Sequence, residues 1–435
     1  MREGIAAEVV IKALDYYLIP FALFLGATNK EIGDLIALPY LASSVIILFS
    51  YRLMRMIGSR LKIVLLCAFA QTFVLFPLVI LPVFRGYRAT ITALIFFIVI
   101  FRALGTVIGA SWGSLVSHYL KDNERGKFFG CRSHVTGVSG LAIAGLFGAW
   151  LHLTEQKNFQ VTGFAILFLA VAMSRFISVL IIRKMKDISI PNPQRPQKAL
   201  RKFTLPFWHL INLSKDSNFL KFLIYVSLTT FAAQFSLPFF SVWLWKSLGL
   251  NYIWYTAIHL SSILMGLIFF PLWGRHADLV GNVRILRQTS WVIALIPLLW
   301  VFVRNPAALM FVEFLSGIVW AGFNLSSTNY IYDCCSPFER VQCLVAFHFI
   351  TCVFSFLGAF LGGNLLQYLP AIMGYQMASL FVISAILRLI ADTVISGKFA
   401  EIRQKVKKVS SWDLFLSVIG LRPIAGSETT WEENY

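Results

Sequence analysis

An all-α membrane protein with twelve transmembrane helices in two pseudo-symmetric six-helix bundles is the fold class this sequence predicts. Three observations carry it. Hydrophobic residues make up 58% of the 435-residue chain and charged residues only 13%, a balance that a soluble surface does not permit. Continuous apolar runs, long enough to cross ~30 Å of hydrocarbon as helices, recur along the whole chain. One long basic loop, containing four prolines, divides these runs six and six. Unbroken apolarity favours helices over barrel strands, which would alternate in segments of about ten residues.

The runs follow in order. Span one, 6–25, carries Glu8, Lys12 and Asp15 instead of a clean apolar core, so it reads as a retained span and not as a cleaved signal. Their i, i+4, i+7 spacing puts all three on one face, which should turn away from lipid. Span two, 32–50, ends in the basic loop "YRLMRMIGSRLK", and span three covers 63–82. Span four, 89–118, holds Arg102 midway. Span five, 133–153, is rich in glycine, which suits close helix contact, and span six covers 160–182. The dividing loop, 183–217, contains "FTLPFWHLINL", which suits either the lipid surface or a plain linker. Span seven, 218–241, holds Gln234 and then Pro238, a candidate bend. Span eight, 252–272, and span nine, 286–303, flank "GRHADLVGNVR". Span ten, 307–331, carries Glu313 in its outer part, span eleven, 341–368, carries Gly358, Gly362 and Gly363, which suit close helix contact, and span twelve covers 372–395. The domains expected are therefore 1–182 and 218–395, with a linker at 183–217 and a tail at 396–435.

The net charge of +18 is an orientation signal, not a nucleic-acid footprint. With both termini placed in the cytoplasm, the inner segments carry 27 of the 38 basic residues and the outer segments 6, as the positive-inside rule requires. The expected setting is an integral protein of a bacterial plasma membrane. The six cysteines fall in spans or inner loops and imply neither disulfides nor a metal site.

The two halves echo each other. "RALGTVIGASWGSLVSHYLKD" of span four lies on "EFLSGIVWAGFNLSSTNYIYD" of span ten at an offset of 211, which sets Arg102 on Glu313, Trp112 on Phe323, Tyr119 on Tyr330 and Asp122 on Asp333. Glu124-Arg125 and Glu339-Arg340 follow at 215, and Arg175 and Arg388 lie 213 apart. Such offsets fit a duplicated six-span unit, a common transporter plan.

Between spans eight and nine the spacing becomes specific. Gly274, Asp278, Gly281 and Arg284 form a Gly, an Asp four on, a Gly three further and then a basic residue. This resembles the signature loop of the major facilitator superfamily. Glycine permits tight turns and close approach, and the aspartate can cap a helix or pair with arginine. The resemblance implies a conformational latch that helps stabilise the state open to the outside; the plainer reading is a charged inner loop. The equivalent loop after span two keeps Gly58, Arg60 and Lys62, but Tyr51 and Arg55 replace the first glycine and the aspartate. Arg102, followed by Gly105 and Gly109, also resembles the family's arginine-glycine motif, while the glycine-proline antiporter motif is absent from span five.

An ionisable side chain at mid-membrane costs about 3 kcal/mol on insertion scales, so it is paired, hydrated or functional. Asp15, Arg102 and Glu313 meet that criterion, and the resemblance implies that spans one, four, seven and ten line a central cavity. Asp15 reads as a proton or cation carrier with Arg102 as binder of a substrate anion or regulator of that carboxylate, or the two form a static ion pair. Gln234 joins them from span seven. Arg175, Arg388 and Asp392 lie toward inner span ends, where snorkelling or inner-surface water explains them. His259 and His348 fit packing better than proton shuttling, and Trp243, Trp245 and Trp254 fit an interfacial belt. The resulting expectation is a monomeric secondary transporter, not an enzyme, that needs no cofactor and moves a small polar solute by alternating access with protons, its other partner being membrane lipid. A non-transporting receptor, assembly or lipid-handling factor on the same fold is the alternative.

Overall fold

The computed structural model describes residues 1–119, 122–185, 187, 218–335 and 340–403. The candidate surface segment in 203–213, Glu339, most of the expected linker and the tail beyond 403 lie outside the described residues. Among the described residues, eleven helices are long and apolar enough to cross a membrane. The remaining span is the first, which is built from two pieces, Arg2–Tyr16 and Leu18–Leu25.

The break has a local cause. Pro20 has no N–H to give the Tyr16 carbonyl one turn earlier, and its ring crowds that carbonyl. The Tyr255 hydroxyl donates to the Tyr16 carbonyl at 2.7 Å instead. Left-handed Gly26 then closes the second piece. Span two, Asn29–Ile57, follows a capping box in which Thr28 N–H donates to Glu31 at 2.8 Å and Glu31 N–H donates to the Thr28 hydroxyl at 3.3 Å. Asn251 caps span eight, Tyr252–Val280, and Asn305 caps span ten, Pro306–Cys334, with Pro306 at the first helical position.

Most helices outrun their apolar stretches. Spans three and four are Arg60–Ile80 and Arg88–Tyr119, spans five and six Asp122–Gln156 and Gln160–Ile182. Span seven, Asn218–Val242, passes Pro238 and ends in a wide turn at Trp243–Ser247. Spans nine, eleven and twelve are Asn282–Phe302, Arg340–Leu365 and Gln376–Ile395.

Packing repeats with the period of six spans. In the first half span one packs on five and six, two on four, and three on four and six. In the second half seven packs on eleven and twelve, eight on ten, and nine on ten and twelve. The main seams between halves, two against eleven and five against eight, exchange under the same shift. Lipid is as apolar as leucine, so such seams rely on close packing and on hydrogen bonds. Gly33 meets Gly363 backbone to backbone, and a Cβ on Gly148 would lie 2.2 Å from the Thr256 hydroxyl.

These close contacts sit from mid-depth to the face opposite the termini. There, the Tyr17 hydroxyl bonds the Ala144 carbonyl and, at 3.0 Å, the Thr256 hydroxyl, and Lys246 reaches Ala27 and Asn29 at 3.5 Å. Toward the termini face, Gly109 and Gly113 continue the Arg102 face of span four with nothing within 4 Å of a built Cβ. Between the halves lies a cleft tied shut on the opposite face; toward the termini the seam of spans five and eight continues, with Leu267 2.4 Å from a Cβ built on Gly137.

Candidate transport site

Asp15 and Arg102 meet at the floor of this cleft. Asp15 stands two residues before the break in span one, and Arg102 Nη2 donates to its Oδ1 at 2.6 Å. Both side chains keep somewhat over a third of their surface exposed, 36% and 37%, at a depth where lipid-facing charge is not tolerated. The exposure is therefore to the cleft. Glu8 and Lys12 of the same face pair with each other at 3.8 Å and pack on span five at Gly140.

Gln234 is nearly buried and spans the seam, its amide donating to the Tyr40 hydroxyl of span two at 3.1 Å. Tyr40 in turn is electrostatically coupled to both Arg102 and Asp15, so three of the four expected site residues form one neighbourhood. Glu313 belongs to a second one, beside Ser262 of span eight and Trp300 of span nine. Tyr16 borders it, and His259 packs against Tyr16 and Tyr255 with Ser241 at 3.4 Å. The offset that laid Arg102 on Glu313 therefore joins equivalent positions with different surroundings.

The signature loop is held from a direction that the sequence did not indicate. Gly281 links spans eight and nine at φ +86° with the Glu401 carboxylate against it, where a Cβ would lie 2.3 Å from Oε2. Gly274, by contrast, has only Leu325 at 3.8 Å from its built Cβ, so close approach does not explain that glycine. Arg284 is half-buried on the first turn of span nine. The partner of Asp278 is Arg403 at 3.0 Å, whose Nε also donates to Asp333 at 3.0 Å. Burial opposes the Arg403 charge, but the hydrogen bonds and charges of Asp278 and Asp333 outweigh it and raise its pKa. All of these partners of Asp278, Gly281 and Arg403 belong to the second half.

Three residues expected near inner water are buried instead. Arg388 and Asp392 are 2% and 1% exposed. Arg388 donates to the Ile293 carbonyl at 2.9 Å and to Ser236 at 3.1 Å, while Asp392 accepts from Tyr225 and Ser290. Arg175 is likewise buried, with Ser178 at 3.3 Å. Trp243 is not interfacial but fully enclosed, with Arg304 over its ring at 4.5 Å.

Comparison with known proteins bears on this arrangement. The sequence pattern of the Major Facilitator Superfamily matches residues 9–359. The chain belongs to the major facilitator superfamily. Solved structures of that architecture superpose over almost its full length. The nucleoside transporter NupG, in a mutant form, shares 13% identity at a TM-score of 0.71, covering 92% of this chain and 99% of its own. A bacterial homolog of the human lysosomal transporter Spinster, inward-facing and unoccupied, shares 13% identity at 0.64, covering 91% and 95%. At these identities the likeness is one of fold. No curated protein matches the sequence. Family membership identifies an integral membrane protein of a transporter family, which points to transport of a small molecule rather than to an enzyme.

Proposed function

We propose that this facilitator moves a small polar or zwitterionic solute across a bacterial plasma membrane, coupled to protons, by alternating access. The termini face is then cytoplasmic, and the conformation described here is the inward-open one. The observation that carries the reading is the Asp15–Arg102 pair, 2.6 Å apart and partly exposed in the cleft.

A solute carboxylate competes with Asp15 for the planar guanidinium of Arg102. Once displaced, Asp15 is a carboxylate without its cation, and taking up a proton neutralises it. Binding and protonation thereby become linked, with Gln234 and Tyr40 sensing the pair from the seam. Return of Asp15 to Arg102 expels both.

The test is uptake into proteoliposomes, after a thermal-shift screen of amino acids, nucleosides and other small polar metabolites identifies a stabilising solute. Asp15→Asn is expected to abolish uptake driven by a pH gradient and to retain solute exchange, whereas Glu313→Gln retains both. Gradient-driven uptake by folded Asp15→Asn excludes this role. Its loss in Glu313→Gln alone moves the proton to the second neighbourhood, whose carboxyl faces Ser262 and Trp300 rather than a cation.

A further inference from the structure

The eight residues after span twelve form a strap beneath the second half. Arg287 of span nine donates to the carbonyls of Ser396 at 2.7 Å and Phe399 at 3.0 Å, and Tyr330 of span ten donates to that of Ala400 at 2.8 Å. Phe399 is 1% exposed among Phe222, Tyr225 and Tyr330. The segment is therefore anchored and ends in two charged side chains held on the signature loop.

Glu401 accepts from Val283 N–H at 2.9 Å, satisfying one of the free donors at the start of span nine and opposing the positive end of that helix dipole. Arg403 joins Asp278, at the end of span eight, to Asp333, at the end of span ten. Its two bonds are unequal in setting. Asp333 is 20% exposed and also accepts from Asn282 at 2.7 Å, whereas Asp278 is 76% exposed. An ion pair that open to water contributes little and exchanges readily, so Asp278 is the end that can let go.

A matching contact occurs in the first half. Asp187, following span six, accepts from the Ser59 hydroxyl at 2.6 Å, and Ser59 caps span three through Lys62 N–H. Asp187 and Glu401 lie 214 residues apart, within the offsets that relate the halves. The first-half loop, which has Arg55 where the signature has aspartate, thus receives a carboxylate from the same structural position.

We infer that Glu401 and Arg403 are positioning residues for the latch loop, and that Arg403 occupies Asp278 while the cleft is open toward the termini. Release of Asp278 from Arg403 frees it for the latch that closes this face. The inference rests on the transporter reading and on the latch role that the family resemblance implies for Asp278.

The experiment uses the full chain, with its six cysteines replaced and Gly113→Cys as a reporter in the open part of the cleft. Purified protein in nanodiscs is labelled with an aqueous maleimide, and the labelling rate measures how often the termini face is open. Asp278→Asn alone is expected to raise the rate, since it removes the latch. Arg403→Gln is expected to lower it about two- to fivefold, the range a surface ion pair can shift, and Arg403→Lys to recover part of the loss. In the Asp278→Asn background Arg403→Gln is expected to have no effect. An unchanged rate in Arg403→Gln, or an equal fall in both backgrounds, overturns the inference. No response to Asp278→Asn itself overturns the latch reading instead. Melting temperatures of Arg403→Gln and of Asp333→Asn/Arg403→Gln, which removes the enclosed carboxylate together with its partner, separate misfolding from a conformational shift.

Discussion

Asp15 and Arg102 differ from a sealed ion pair because both side chains keep over a third of their surface exposed. Removing one partner of a buried pair costs about 3–5 kcal/mol, whereas exposed pairs are worth about 0–1 kcal/mol. Asp15→Asn and Arg102→Met should therefore each melt near the wild type, and thermal unfolding in detergent checks this; a large loss that the double mutant recovers marks a purely structural pair. Gly281 gives a second residue-scale contrast. Alanine there must adopt φ +86° and displace Glu401, so Gly281→Ala should lower the melting temperature, while Gly274→Ala should leave it within error. The mid-span charges were legible because polarity inside an apolar run is conspicuous. Glu401 and Arg403 were not, since they lie past the last run in a segment with no periodicity. The break after Tyr16 had a signal in Pro20, but apolarity alone read straight through it.

At the scale of helices, apolar length marks where lipid lies and not where a helix ends, so span two runs Asn29–Ile57 although its apolar stretch stops near 50. Nor does position along a run say which face is covered. Arg388 and Asp392 stand near the end of span twelve, yet they turn into the bundle, toward Ile293 and Ser290 of span nine and Ser236 and Tyr225 of span seven. The glycines of span eleven were read correctly as close-contact sites, and the structure divides them by role. Gly358 and Gly362 press on the Phe231 and Phe235 carbonyls of span seven, inside the second half, whereas Gly363 presses on Gly33 across the seam. Gly362→Ala therefore overpacks the bundle in every conformation and should destabilise it by about 1–3 kcal/mol, read as a lower melting temperature. Gly363→Ala instead disfavours closure of the opposite face. It should reduce labelling of Gly113→Cys with little change in melting, and a large melting loss without that reduction would contradict the division.

For the whole molecule, the contact pattern that repeats under a six-span shift explains why weak sequence echoes kept a nearly constant offset: the duplicated unit constrains helix order and seam position more than side-chain identity. Arg102 and Glu313 show the limit of that constraint, sharing a position but not their surroundings. The repeat also leaves the direction of the molecule in the membrane to charge alone. Met56, on the termini face, is 84% exposed, whereas Tyr87 and Tyr368, at the opposite face, are 68% and 77% exposed. Because 27 basic residues lie in segments on the termini side and 6 on the other, moving the termini side outward would work against the strongest topological determinant known for such loops. An impermeant maleimide added to intact cells should therefore modify Tyr87→Cys and Tyr368→Cys, and should reach Met56→Cys only after permeabilisation. The reverse pattern would place the open cleft outside, and the Asp15–Arg102 pair would then face the external solution in this conformation and meet the solute there first.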